Sequence, residues 1–209
     1  MAHKLPLFSH HLVAHSHPGT QTEVVCGTSY TLMVPTPTRS LRPITYVWTA
    51  TTDGKSSNLR VYSANTTQLK ELGTIPLPSC CARATVYIPA VTSSDQTCGW
   101  PGDPLRGDLV WVATDDCRIL LYAATDPERG CELGRIVLPA GPVSMVHHMG
   151  QVWVGLLSGQ LLVHRRSSSG AWDSSPAISH TLGNEPITGL VRPVHPLLTI
   201  TLLDLSILC

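Results

Sequence analysis

Charge is scarce in this 209-residue chain. Only 13% of its residues are Asp, Glu, Lys or Arg, and fourteen basic residues balance fourteen acidic ones, against the roughly 25% charged residues of an average soluble domain. Without a basic excess there is no footprint for nucleic acid or for an anionic membrane surface. Long apolar runs are missing too. The tail PLLTITLLDLSILC is short of the roughly 20 residues that span a bilayer, and it carries Asp204. The start, MAHKLPLFSHHLVAHSH, is interrupted by Pro6, His10 and His11 and lacks the continuous apolar core of a signal peptide. Absent as well are a Walker A loop, GxGxxG, HExxH, GxSxG and any CxxC pair, so phosphate cradling, dinucleotide binding, zinc hydrolysis, a nucleophile elbow and a paired-thiolate zinc site all lack their local geometry. The seven cysteines, Cys26, Cys80, Cys81, Cys98, Cys117, Cys131 and Cys209, are odd in number and irregularly spaced, which fits a reducing compartment. These absences point to a cytoplasmic protein with no membrane span, no metal and no cofactor. The Asn65-Thr66-Thr67 glycosylation pattern is then incidental.

Turn and strand formers are plentiful. Seventeen prolines, sixteen glycines and many Ser, Thr and Val residues disfavour helix interiors, so the fold class is all-β. A phrase recurs three times: TYVWTATTDGKSSNLRVYSAN from Thr45, DLVWVATDDCRILLYAATD from Asp108 and GQVWVGLLSGQLLVHRR from Gly150. Trp111 and Trp153 are one period apart in the range of about 40 to 45 residues that marks a four-stranded propeller blade. Trp48 and Trp111 are further apart because a polar, Gly/Pro-rich insertion over 91–106 separates them. The sequence therefore divides into an N-terminal extension, poorly ordered, over 1–43; blades over 44–90, 107–150 and 151–194; and an atypical apolar tail over 195–209. About three four-stranded blades make a partial propeller, short of the four to eight of a closed one, and the expectation is a fragment of a longer protein. Continuous apolar runs such as VWVGLL suit strands covered on both faces by neighbouring blades.

The strings VWVATDDCRILLYAATD and QVWVGLLSGQLLVHRRSSSGAWD, followed by HTLGNEPITGLVRP, resemble the C-terminal WD40-like propeller of Rho guanine nucleotide exchange factors of the type 10 and type 17 subgroup. They are similar also to the propeller of the JNK-interacting scaffold proteins. The resemblance covers residues 44 to 194. It rests on Trp111, Asp115, Asp116 and Tyr122 in one unit and on Trp153, Ser158, Gly159, Trp172, Asp173, Leu182, Gly183, Pro186 and Ile187 in the next. Cys117 stands where the pattern prefers glycine, a residue that tolerates positive φ. The resemblance implies a non-catalytic interaction module whose partners are proteins, among them components of Rho GTPase signalling, with the exchange domain absent from this chain. The alternative it leaves open is a fragment of a JNK-interacting scaffold.

Trp48, Trp111 and Trp153, with Tyr62, Tyr122, Gly159, Trp172, Asp173 and Gly183, are read as structural repeat residues that pack the blades. Adjacent Cys80 and Cys81 read as core, and His147 and His148 as one buried and one exposed residue. His10, His11, His15 and His17 could bind a transition metal, but a mobile tail explains them better. Arg165-Arg166-Ser167-Ser168 has the form of a basophilic kinase site, with an exposed polar hairpin loop as the plainer reading. Asp53, Asp115 and Asp116 are expected at solvated turn tips, and the 91–106 insertion is a candidate partner-binding loop. A small enzyme with a propeller-like site ranks last.

Overall fold

The computed structural model describes residues 23–37, 39–64, 68–90, 104–168, 170–191, 199–201 and 206–208. The His10–His17 cluster, the Asn65 pattern, most of the insertion, Cys98, Cys209 and Asp204 lie outside the described residues. Among the described residues fifteen strands form four antiparallel sheets. The first sheet holds β1 (Glu23–Pro35), β2 (Leu41–Thr52), β3 (Ser57–Ala64) and β4 (Leu69–Leu77); the second β5 (Ala82–Ile88), β6 (Leu109–Thr114), β7 (Arg118–Ala123) and β8 (Glu132–Val137). The third holds β9 (Pro142–His148), β10 (Gln151–Leu156), β11 (Gln160–Arg165) and β12 (Ile178–Thr181), and a three-stranded fourth holds β13 (Gly189–Val191), β14 (Thr199–Thr201) and β15 (Ser206–Leu208). Within each sheet the strands follow chain order as a meander. The first strands β1, β5, β9 and β13 pack in succession from sheet to sheet.

Three four-stranded sheets agree with the blade count read from the repeat, but each begins one strand earlier than the sequence division has it. The Val-Trp strand is the second strand of its sheet, so ARATVYI and PVSMVHH open the sheets they were expected to close. The cause is visible at Met149-Gly150. Two residues, both at positive φ (49° and 75°), join β9 to β10 in the manner of a type I′ hairpin turn. A two-residue turn leaves β9 no partner but β10, with which it pairs from Gln151–His148 to Leu156–Pro142. The same shift makes residues 23–35, inside the expected extension, the strand β1, and brings 199–201 and 206–208 of the expected tail onto β13.

Strand alternation sorts the core. In the second sheet Val110, Val112, Leu120 and Tyr122 face the first sheet and meet Trp48, Ala50, Leu59 and Val61. Leu109, Trp111, Ala113, Ile119 and Leu121 face the other way, onto Val152, Val154, Leu156 and Leu162 of the third sheet. Trp153 and Leu161 continue the series toward Ile187 and Leu190. Each such side chain contributes about 1.5–3 kcal/mol by leaving water, so the sheets are held by their faces and cannot be stable singly.

Candidate protein-interaction surface

The repeat tryptophans occupy equivalent places. Trp48 opposes Val61, Trp111 opposes Leu121 and Trp153 opposes Val163 across the central hairpin of their sheets. Each indole points toward the following sheet. Trp48 lies 5.8 Å from the ring of Tyr122, and Trp111 lies 6.0 Å from His164 and 4.7 Å, edge-on, from Trp172. Trp48 and Trp111 are fully buried, whereas Trp153, facing the thinner fourth sheet, is only partly so. Tyr122 is buried, which pushes its phenol up to about 12; Tyr62, at the same place in the first sheet, is half-buried. Trp172 is buried and Asp173 exposed.

The turns joining second to third strands share a conformation as well. Gly54, Cys117 and Gly159 have φ of 89°, 63° and 74°. At Gly159 a side chain is excluded outright, since a Cβ there would sit 2.2 Å from the carbonyl oxygen of Gly183, and Leu182 donates its N–H to the Gly159 carbonyl at 3.0 Å. The aspartates at these tips are exposed and also structural. Asp53 Oδ1 accepts the N–H groups of Lys55 and Ser56 at 2.8 Å each, which holds its carboxyl below the usual range. Asp115 Oδ1 accepts the Cys81 N–H at 2.8 Å, while Asp116 takes Arg118 and the Thr114 hydroxyl, Arg118 doing most to lower its pKa. Cys80 and Cys81 are both buried, and Cys81 Sγ accepts from Thr52 Oγ1 at 3.3 Å. His147 and His148 are both half-buried instead of one in and one out. Among the described residues no three His, Cys, Asp or Glu side chains gather to hold a metal ion.

A residue read from the sequence only as part of a kinase-like motif or an exposed loop organises the opposite ends of the sheets. Arg166, just past β11, is not the open cation of a kinase site. Its Nη1 donates to the carbonyls of Leu105 (2.9 Å) and Gly170 (3.2 Å), and its Nη2 to those of Gly107 (3.1 Å) and Pro89 (3.5 Å). Pro89 and Gly107 flank the 91–106 insertion between β5 and β6, and Leu105 lies near its end. The guanidinium carbon lies 5.0 Å from the centroid of the Trp172 ring, close enough for a cation–π contact. From the other side, Asp108 Oδ1 accepts the Tyr87 hydroxyl at 2.5 Å and the Ala90 N–H at 3.1 Å. Burial first, and then that carboxylate, push the Tyr87 phenol upward. Beside this stem is a cleft of about 260 Å³ lined by Ile88, Pro89, Ala90, His147, Gly150, Arg166 and Trp172. The signal for Arg166 was available: alternation from Leu162 through His164 carries it to the face that meets the second sheet.

Residues 23–195 match the WD40 repeated domain family. The chain belongs to the WD40 repeat family. Domains of this family are in general interaction modules without bond chemistry. In sequence, the chain is 31% identical over 78 residues to JNK-interacting protein 3 of Drosophila melanogaster, a match that covers 37% of this chain and 6% of that protein's length. In structure, this WD40 chain is similar to the computationally designed Ika4 protein (TM-score 0.55, 13% identity, 93% of this chain and 94% of that one). It is similar also to Sqt1 from Chaetomium thermophilum (TM-score 0.55, 16% identity, 87% and 41%). At these identities the structural likenesses establish the fold alone. Among the described residues of the WD40 chain no helix is long and apolar enough to cross a membrane.

Proposed function

We propose that this WD40 chain is a non-catalytic protein-interaction module of a larger cytoplasmic signalling protein, and that it works by presenting loops on a rigid stack of sheets. The observation that carries the reading is the clamp on the insertion stem: a charged side chain and a carboxylate, from opposite sides, fix where the chain leaves and re-enters the second sheet. Function concentrates on loops held in this way by a scaffold. The five described cysteines are all free, in keeping with a reducing compartment.

Two settings for the larger protein are supported by different observations. The stretch shared with the fly JNK-interacting protein supports a scaffold. The ordered string from Trp111 to Ile187 supports a Rho guanine nucleotide exchange factor, in which the module would regulate GDP release from a Rho GTPase by an exchange domain elsewhere in the protein. Binding of the whole chain to cell-extract proteins, quantified by mass spectrometry alongside Arg166→Ala, tests the module reading. A saturable partner weakened by the substitution is expected, and absence of any saturable partner would refute it. Sequencing of the full transcript separates the settings, because only the exchange factor requires a helical exchange domain in frame.

A further inference from the structure

The outer face of the first sheet can be compared, position by position, with the two faces that meet a preceding sheet. The pairs Val110–Tyr122 and Val112–Leu120 in the second sheet correspond to Val152–His164 and Val154–Leu162 in the third and to Val47–Tyr62 and Thr49–Arg60 in the first. Trp48 and Ala50 point into the core, so alternation turns Val47 and Thr49 outward. Two of the four positions keep the character of a sheet-to-sheet contact. The other two replace Val and Leu by Thr and Arg.

Arg60 is half-buried on this face, and its Nε is shielded from water with no hydrogen-bond partner. Among the described residues no carboxylate pairs with it. A guanidinium prefers the planar fork of a carboxylate to any other side-chain acceptor, and an unmet buried donor is costly. The neighbouring position has an equally definite preference. The ring at Tyr122 receives the indole of Trp48, and the ring at His164 receives the indole of Trp111; among the described residues no indole stacks against Tyr62.

From this register we infer that the outer face of β2 and β3 is a docking surface for a protein segment that brings a carboxylate to Arg60 and an aromatic ring, best an indole, to Tyr62 and Val47. The inference rests on the interaction-module reading and adds the place and the chemistry of one partner. Charge complementarity selects the acid; the geometry repeated inside the chain selects the aromatic. An all-apolar sheet like those within the chain is the wrong occupant, because it would leave Arg60 buried against hydrocarbon.

Random linear peptides displayed on phage and panned against the full chain supply the test. The expected selection is enriched in Asp or Glu close to Trp. A synthetic peptide from it should bind at least ten-fold more weakly to Arg60→Leu, and should lose as much when its own acid is changed to the amide. Its addition should also move the Arg60 Nε–H resonance in a 1H-15N spectrum. Arg60→Leu installs the residue found at the equivalent positions, so its melting curve should match the parent's; Thr49→Val, beside it, should leave the demand for the acid intact. Peptides that bind Arg60→Leu equally well would overturn the docking surface while leaving the module reading standing on another surface. A selection that yields no binder would sink both. Sedimentation that shows a dimer of the free chain, dissolved by Arg60→Glu, would assign the face to a second copy and also overturn the inference.

Discussion

His164 occupies in the third sheet the position that Tyr122 occupies in the second: each opposes a valine of the Val-Trp strand, and each meets the tryptophan of the preceding sheet. The imidazole, however, is fully buried with neither ring nitrogen in a hydrogen bond of normal geometry. Burial dominates its titration and holds the pKa below the usual 6.5, against a weaker opposing effect from the Asp173 backbone. Stability is therefore intact above pH 6.5 and is lost as the pH falls below that value, where the unfolded chain takes up a proton that the folded chain resists. Thermal melts in steps from pH 7.5 downward should show this loss. His164→Phe should flatten it and raise stability at neutral pH by about 1 kcal/mol, since two orphaned polar atoms are removed. A variant that keeps the parent's pH profile would place the acid sensitivity elsewhere.

Cys117 holds a left-handed conformation at φ 63° that its counterparts Gly54 and Gly159 adopt without a Cβ. Cys117→Gly is expected to stabilise the chain by roughly 1 kcal/mol in urea unfolding, the penalty of αL for an ordinary residue. A destabilised variant would mean that the half-buried thiol contributes more by packing than its backbone costs.

The two glycines of that series should respond differently to alanine. Around Gly54 there is open space, so Gly54→Ala should cost only the conformational penalty of about 1–2 kcal/mol. At Gly159 the new methyl meets the Gly183 carbonyl at 2.2 Å, and the loop that leads from β12 toward β13 must shift. Denaturation midpoints should rank Gly159→Ala well below Gly54→Ala, and equal midpoints would show that the Gly183 loop yields freely.

Arg166 makes a prediction of a different kind, local instead of global. Arg166→Ala should raise amide hydrogen exchange at Ala90 and at Leu105 to Gly107, with a stability loss of about 2 kcal/mol for the charged hydrogen bonds removed. Arg166→Lys should not restore protection, because an ammonium cannot fork toward the carbonyls of Leu105, Gly107, Gly170 and Pro89 together.

Much of the architecture was legible in the sequence because a repeated Val-Trp pair is a strong marker of a repeated packing position. The strand phase was harder to read. In the second unit the insertion separates β5 from its partner β6, and only Met149-Gly150 in the third unit shows a hairpin short enough to fix the pairing. The Cys117 turn was readable since glycine is the residue that such a turn favours. Arg166 was hidden by its neighbours: Arg165 is exposed and hydroxyls follow, so the local composition resembled a solvated loop, while three of the four carbonyls it bonds are more than fifty positions away. Long-range backbone acceptors carry no side-chain signature. The polar pair Thr49 and Arg60 becomes meaningful only once the register aligns it with Val112 and Leu120.

From Leu109 to Thr114 every residue of β6 is buried, with Leu109, Trp111 and Ala113 packed toward one neighbour and Val110 and Val112 toward the other. This has a consequence for synthesis. A nascent chain that has emerged only through β8 can cover one side of β6 with the first sheet, but Trp111, Leu109 and Ala113 have nothing to cover them until Gln151–Arg165 is made. During that interval the ribosome carries a short, uncharged, strand-forming apolar segment, the kind that pairs with copies of itself. A stop just after Val137 should therefore yield aggregate rather than a smaller soluble domain.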